Sequence, residues 1–246
     1  MRKLSGIALI ALVSFIYSFS PVKNPDDPIY TVTQLSSPMQ IDANWDKREW
    51  KRTKGITLTN FMGEIPAFKP LAKAKMMYDK DHLYLIFRVK DRHVRIQTRN
   101  FNGPVSGDAC VEFFFSPDQN FPLRYFNLEI NAGGVPLMGY HTNGQKEFKL
   151  LQPDELKLIK IAHSLPGNLE QEIAEPVTWT VECRIPLSLL QKYTAITTPE
   201  KGIGWKANFY KTSSRSSNPH WITWAPVSNP KPNFHLPQFF GTIVFN

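Results

Sequence analysis

The stretch Asp108-Ala109-Cys110-Val111-Glu112-Phe113-Phe114-Phe115 decides the fold class. Its β-branched and aromatic residues, bounded by turn-forming residues, predict a β-strand. Because side chains alternate along a strand, Val111, Phe113 and Phe115 share one face, which we expect to be core, and Glu112 lies on the other. A carboxylate in an otherwise apolar strand needs a partner or a wet site. Glu112 is therefore either half of a structural ion pair or an acceptor that faces a ligand.

The rest of the chain also alternates with the two-residue period of strands. Residues 74–79 and 82–89 flank a Lys80-Asp81 turn and predict a hairpin. Residues 125–131 and 179–186 alternate in the same way. No segment longer than about 12 residues has a convincing helical period. We predict an all-β fold, an antiparallel, jelly-roll-like β-sandwich with long loops and at most one or two short helices.

The N-terminus has the pattern of an export signal. A basic start precedes an apolar run, Ile7 to Phe19, which is shorter than the roughly 20 residues that cross a bilayer. We expect a signal peptide over residues 1–20, a flexible lead over 21–30 and a single domain over 31–246. The mature protein is then exported, periplasmic or extracellular, with no membrane span.

The charge balance argues against a nucleic-acid partner. The formal net charge is +8, and removal of Arg2 and Lys3 with the signal lowers it to +6. The surplus is spread along the chain without a run of five or six basic residues. It favours solubility or weak attraction to acidic polymers.

Two cysteines, Cys110 and Cys183, both lie in strand-like runs. In an exported chain they form one disulfide, or they are two buried free thiols; the sequence leaves both possibilities open. Neither belongs to a CxxC or Cys/His group, so a structural zinc site is not expected.

Several blocks stand in the order of the family 9 carbohydrate-binding modules and of the wider DOMON-like sandwich superfamily. They are Ile41-Asp42 with Trp45 and Trp50, Tyr78-Asp79 with Leu83-Tyr84-Leu85, Gly107-Asp108 with Val111 to Phe114, Phe126 to Asn131, Trp179 with Ile185-Pro186, Trp205 with Asn208 to Lys211, Trp224, and Phe234 to Gly241. The chain resembles in particular the exported, family-9-like proteins of Bacteroidetes. The resemblance implies a sandwich that binds sugars, in relatives often attached to glycoside hydrolases, with a terminal sugar held between two aromatic rings and with structural calcium.

The resemblance also implies roles for individual residues. Glu112 corresponds to the family's acceptor for sugar hydroxyls, and Phe234 stands where characterised binders have a tryptophan. Asn127 occupies the place of a family arginine. The second tryptophan of the clamp is absent; Ser106 stands near its place, and Phe101 substitutes for it only if its loop folds over the site.

The residue chemistry around the C-terminal loop fits a sugar. Aromatic rings stack on the apolar faces of a pyranose, while carboxylates, amides and basic groups meet its hydroxyls. Trp224 and Phe234 flank a Pro-rich loop, although each is also explained by core packing. His235 either donates to a sugar or is satisfied by backbone, and Lys211 is expected at the rim.

We therefore expect an exported, non-catalytic carbohydrate-binding protein that recognises sugar or polysaccharide ends in glycan breakdown, alongside a separate glycoside hydrolase. The alternative is a structural or adhesive sandwich that has lost its sugar site. A glycoside hydrolase would need two carboxylates about 5 to 9.5 Å apart; Glu112 and Glu129 are candidates. A haem-binding domain would need axial ligands, for which Met76, Met77, Met138, His141 and His163 are available.

Calcium is the one metal that the sequence suggests. Acidic turns at Asp42, Asp46 and Asp79 to Asp81 offer the oxygen ligands that calcium prefers. Capping of backbone amides in the same turns is the competing explanation.

Overall fold

The computed structural model describes residues 28–246, so the predicted signal peptide and most of the predicted lead lie outside the described residues. The first strand begins at Ile29, two residues before the predicted start of the domain. Fourteen strands follow one another along the described chain. They are β1 Ile29–Gln34, β2 Ile56–Leu58, β3 Asn60–Met62, β4 Leu71–Tyr78, β5 His82–Asp91, β6 Cys110–Ser116, β7 Tyr125–Asn131, β8 Pro136–Asn143, β9 Glu147–Leu150, β10 Lys160–His163, β11 Val177–Pro186, β12 Gly204–Ser213, β13 His220–Thr223 and β14 Gly241–Phe245.

Helical structure is limited to short turns. Three four-residue α-helices, one more than predicted, span α1 Arg48–Lys51, α2 Pro153–Leu156 and α3 Leu187–Leu190. Two 3-10 turns cover Val105–Gly107 and Pro237–Phe239. Within residues 28–246, no helix is long and apolar enough to cross a bilayer. The all-β prediction is confirmed.

The strands form two layers joined through β1. One layer contains β14, β12, β6, β7, β8 and β9, and the other contains β4, β5, β11 and β10. Strand β1 pairs in parallel with β14 through residues 29–32 and with β4 through residues 33–34, so it passes from one layer to the other. All other strand pairs are antiparallel, as the predicted sandwich requires.

The core lies between the layers. Val111, Phe113 and Phe115 of β6 face it, as the alternation predicts, and Phe113 stacks on Phe115 with ring centroids 4.7 Å apart. Phe209 of β12 packs against Phe113 at 4.9 Å. Burial of these large rings supplies the main driving force for closing the sandwich, at about 25 cal/mol per Å² of apolar area.

The outer face of β6 is also covered, which explains why every residue of this strand is buried. A Pro-rich segment, residues 225–240, crosses this face and is called the roof segment below. Phe234 and Phe240 of the roof segment pack with Phe114 and Tyr210 in a second apolar cluster. Glu112 lies on this roofed face and not on an open sheet surface.

Both cysteines are buried free thiols. Cys183 faces the main core, whereas Cys110 packs with Val105 and Val135 on the outer face of its layer. The disulfide alternative is therefore wrong, because the two thiols belong to different layers and different clusters.

Candidate functional site

Strands β7, β6 and β12 bring Glu129, Glu112 and Tyr210 side by side in one row across the sheet, called the Glu112 row below. In the register of β6, β7 and β12, Glu112 lies directly opposite Glu129 on one side and Tyr210 on the other. Residues that are directly opposite on neighbouring strands point to the same face. The row therefore lies on the outer face, beneath the roof segment.

A cavity of about 180 Å³ opens over this row. Its floor contains Glu112 and Glu129, and the roof segment contributes one wall. The remaining lining comes from the Val105–Gly107 turn, the β8–β9 turn, strands β12 and β13, and Ser214, which follows β12. The full lining consists of Ser106, Glu112, Glu129, Gln145, Thr212, Ser214, Trp221, Pro232, Asn233, Phe234 and His235. Apart from the two carboxylates, its polar groups are hydroxyls, amides and one imidazole.

Glu112 is a buried carboxylate without a hydrogen-bond donor. Its residue is only 3% exposed, yet no residue between 28 and 246 donates a hydrogen bond to its side chain or pairs with it as a salt bridge. Glu182 in β11 is equally buried but accepts hydrogen bonds from the backbone of Asp42 and Ala43 and from Trp50. Glu182 thus has the donors that a structural role requires, whereas none of residues 28–246 supplies such donors to Glu112.

Burial and mutual repulsion act on the two cavity carboxylates. Burial raises the pKa of Glu112 well above its usual range, and the neighbouring Glu129 raises it further. Burial raises the pKa of Glu129 to about 7, against the effect of a hydrogen bond from Asn127. The buried Lys211 on the inner face of β12 offsets part of this effect on the pKa of Glu112, and within the described chain no arginine or lysine lines the cavity itself. Near neutral pH the pair is therefore partly protonated, which supplies both a donor and an acceptor for a polar ligand.

Asn127 acts on the site through Glu129. Its amide nitrogen donates to Glu129 Oε1 at 2.9 Å, and its amide oxygen accepts from the backbone of Gly139 at 3.0 Å. The amide is thus committed to positioning Glu129, and Asn127 does not line the cavity.

Two aromatic residues line the cavity. Phe234 lies in the lining as predicted, but one of its faces stacks on Tyr210 with centroids 4.1 Å apart, and the residue is 7% exposed. Trp221 in β13, which the sequence reasoning did not select, is more exposed and shares the outer face because it lies opposite Thr212. Alternation could have found it: Trp221 and Trp224 are three residues apart, so when one faces the core the other faces outward.

His235 lines the cavity beside Phe234. Its ring nitrogen Nδ1 lies 2.9 Å from the hydroxyl of Tyr125. Burial, together with the nearby His141, lowers the pKa of His235 to about 4. The ring is therefore neutral at physiological pH and has one further nitrogen for hydrogen bonding.

Three predicted site residues lie elsewhere. Lys211 points to the inner face, where it is fully buried and pairs with Asp91 at 3.1 Å, because its register partner is the core residue Val111. Trp224 packs edge-on against Phe209 in the core. Phe101 is 37% exposed in the loop before β6 and does not line the cavity. None of the three joins the Glu112 row.

The acidic turns do not gather around one metal position. Asp79, Asp81 and His82 place ligand atoms within 4.8 Å of one another. However, Asp79 already accepts hydrogen bonds from the backbone of Asp81 and His82 and from the hydroxyl of Tyr84. Asp42 similarly accepts from the backbone of Asn44. Calcium takes six to eight oxygen ligands, and this donor set does not fit it; capping explains these residues.

The fold has counterparts among solved structures. A candidate carbohydrate-binding protein from Bacteroides uniformis is 26% identical, with a TM-score of 0.80 over 89% of this chain and 100% of the other. A family 9 module from Caldicellulosiruptor kristjanssonii, solved with cellotriose, is 19% identical with a TM-score of 0.59 over 89% and 93% of the two chains. A family 9 module from the same organism, solved with glucose, is 18% identical with a TM-score of 0.60 over 89% of this chain and 96% of the other.

Sequence comparison agrees with the structural comparison. A protein of Arthroderma benhamiae described as an extracellular protein is 26% identical over 194 residues, which cover 76% of this chain and 84% of that protein. The family model described as carbohydrate-binding family 9 matches residues 41–245. This match covers most of the chain and nearly all of the described sandwich, so the chain belongs to carbohydrate-binding family 9.

Proposed function

We propose that this protein is an exported, non-catalytic carbohydrate-binding protein that holds the end of a glycan in the cavity over Glu112. Carbohydrate binding follows from membership of the family. The assignment of the site to this cavity, the recognition of ends and the export are our proposals.

The observation that carries the site is the unpartnered carboxylate of Glu112. The carboxylate lines the cavity, so a group in the cavity must supply the hydrogen-bond donor that the protein itself supplies to Glu182. A sugar hydroxyl would supply the missing donor. The surrounding hydroxyl and amide groups of Thr212, Ser214 and Asn233 suit the remaining hydroxyls of the same ring.

The dimensions of the cavity favour a chain end. A volume of about 180 Å³ corresponds to roughly six water molecules at about 30 Å³ each, which is the scale of one sugar ring and not of several. Trp221 provides an apolar ring face at the wall, where a pyranose face can pack. One Caldicellulosiruptor module was solved with glucose, which is a single ring, and the other with cellotriose, of which only a terminal ring matches a cavity of this volume.

Within residues 28–246, the Glu112–Glu129 pair is the arrangement that favours a second candidate function, glycoside hydrolysis. Hydrolases place their two carboxyl groups on either side of the scissile bond. Here both groups project from the same sheet face on adjacent strands, so they approach a bound sugar from one side. We expect no release of reducing ends when the protein is incubated with its glycan; release that is lost in Glu112→Gln would support the hydrolase instead.

Export and a part in glycan breakdown rest on other support. The proposal of export draws on the residues 1–20 pattern and on the extracellular description of the Arthroderma benhamiae protein. A separate glycoside hydrolase as partner draws on the family resemblance. Cell fractionation with N-terminal sequencing of the mature protein tests the first; intact Met1 in the cytosol contradicts it.

A glycan array on the mature protein tests the function itself. The best neutral polysaccharide is then compared with the same mass of that polysaccharide after partial hydrolysis, which multiplies its chain ends. We expect binding to rise with the number of ends. Equal binding before and after hydrolysis contradicts end recognition, and an array without any binding supports a sandwich that has lost its site.

A further inference from the structure

The opposite layer of the sandwich carries a second cleft, of about 460 Å³. It lies on the outer faces of β4 and β5, whose alternate residues Ala72, Ala74 and Val89 face the core. It therefore belongs to the other layer from the Glu112 cavity, and the two share no lining residue. Its lining consists of Trp45, Gly55, Ile56, Thr57, Leu71, Lys73, Lys75, Arg88 and Lys90.

Four cations form a strip along this cleft. Lys73 lies directly opposite Arg88, while Lys90 is opposite Leu71 and Lys75 is opposite Ile86. The charges thus occupy three successive outward-facing positions, each about 7 Å from the next. A strip of roughly 14 Å matches a polymer with repeated negative charges better than it matches a single small anion.

The strip is almost without negative partners. Within residues 28–246, no carboxylate comes within salt-bridge distance of Lys73, Lys75 or Lys90, and Arg88 has only the exposed Asp46, 3.9 Å away. Like charges directly opposite on neighbouring strands are destabilising. Burial lowers the pKa of Lys75, and the nearby Lys73 and Arg88 lower it further against the attraction of Asp46. An anionic ligand would relieve this repulsion.

The cleft also has an apolar wall. Ile56 and Trp45 line it beside the cations, and the amine of Lys75 lies 4.4 Å from the centre of the Trp45 ring. Apolar walls suit the C–H faces of sugar rings, whereas the strip suits sulfate or carboxylate groups. We propose that this cleft is a second binding site, for an anionic polysaccharide that carries sulfate or carboxylate groups.

Dextran sulfate and uncharged dextran of the same length test this proposal, since they share one backbone. We expect the mature protein to bind dextran sulfate in 50 mM salt, to bind it more weakly as salt rises because the charges are exposed, and to bind dextran more weakly than dextran sulfate. Equal binding of the two polymers, or binding of neither, overturns the proposal. The neutral glycan of the Glu112 cavity should bind alongside dextran sulfate; its failure to bind at all would count against the proposed function alone.

Two double variants of equal net charge locate the site. Lys73→Gln with Lys90→Gln should weaken dextran sulfate binding about 10-fold, since each exposed charge pair contributes up to roughly 1 kcal/mol. Lys146→Gln with Lys201→Gln, which removes two exposed charges away from the cleft, should change it less than about 2-fold. Equal losses in both variants show attraction by net charge alone and contradict the site. Duplex DNA that binds as tightly as dextran sulfate contradicts the choice of a polysaccharide.

Discussion

At the scale of single residues, Glu112 and Glu182 form a natural pair for comparison. Both are buried glutamates in strands, but only Glu182 has hydrogen-bond donors around its carboxylate. Glu182→Gln should therefore destabilise the protein by about 3 kcal/mol or more. Glu112→Gln should leave the melting temperature at pH 8 unchanged or higher, because it removes a buried charge that repels Glu129. Thermal melts of both variants test these expectations. A large decrease in the melting temperature of Glu112→Gln would show that Glu112 has a structural role.

Trp221 and Trp224 should also differ, one acting in binding and the other in stability. Trp224 packs in the main core, and Trp224→Ala should cost roughly 3 to 5 kcal/mol of stability. Trp221 lies at the cavity wall. Trp221→Ala should weaken glycan binding about 10-fold, through the lost stacking face, with a smaller loss of stability. Denaturant unfolding and calorimetric titration of each variant measure the two effects, and undiminished affinity in Trp221→Ala would remove this residue from the site.

Glu129 should make the folding stability of the protein fall as the pH rises, whereas a salt-bridged carboxylate makes it rise. Its pKa is raised from 4.5 to about 7 on folding, which corresponds to roughly 3 kcal/mol. Because the folded state then binds more protons, stability is greatest below about pH 4.5 and falls as the pH rises through 7. Melts of the wild type and Glu129→Gln between pH 5 and pH 8 should converge at the acidic end of this range.

The quantity to measure is the difference in melting temperature between the wild type and Glu129→Gln at each pH. The buried His235, whose pKa is lowered to about 4, acts in the opposite direction, since it stabilises the folded state above pH 6.5 and loses that effect as the pH falls toward 4. His235 is common to both proteins, so the comparison cancels it. A pH-independent difference would show that Glu129 titrates normally.

At the scale of elements, the acidic turn at residues 79–82 is a capping structure. Asp79 accepts two backbone hydrogen bonds and one from Tyr84. Because those donors already occupy the carboxylate, chelation should leave the melting temperature unchanged. The measurement is a thermal melt with and without EDTA, and a marked decrease with EDTA would indicate structural calcium at this turn.

Alternation within a strand could be read from the sequence, and it placed Val111, Phe113 and Phe115 in the core correctly. Lys211 could have been placed by the same rule, since it shares a face with the core residue Phe209. Lys211 was expected at the rim of the sugar site because of its charge, although alternation places it on the inner face. The buried Lys211 is stabilised by its ion pair with Asp91 of another strand and by contacts with the Thr212 carbonyl and the His220 ring. The pairing with Asp91 cannot be read from local sequence.

The cavity itself could be predicted only in part. Glu112 was identified as an anomaly within its strand, and Phe234 and His235 as parts of a Pro-rich loop. The lining of the cavity also needs Gln145 and Ser106, which are brought in by turns distant in sequence. Periodicity describes the faces of elements and not the packing of loops over them, so the roof segment was not foreseen.

At the scale of the whole molecule, the two layers present two different surfaces. One outer face is roofed and holds buried carboxylates, and the other is open and holds the basic strip. Binding at the two faces should be independent, because their lining residues do not overlap.

Calorimetric titration of Glu112→Gln with the best neutral glycan from the array tests the central claim most directly. A buried hydrogen bond left unmade costs about 1 to 3 kcal/mol, so we predict an affinity roughly 10-fold weaker than that of the wild type. Glu147→Gln, an exposed glutamate in β9 outside the cavity lining, is the matched control and should bind as the wild type does. Wild-type affinity in a folded Glu112→Gln protein would show that the sugar is not held over Glu112.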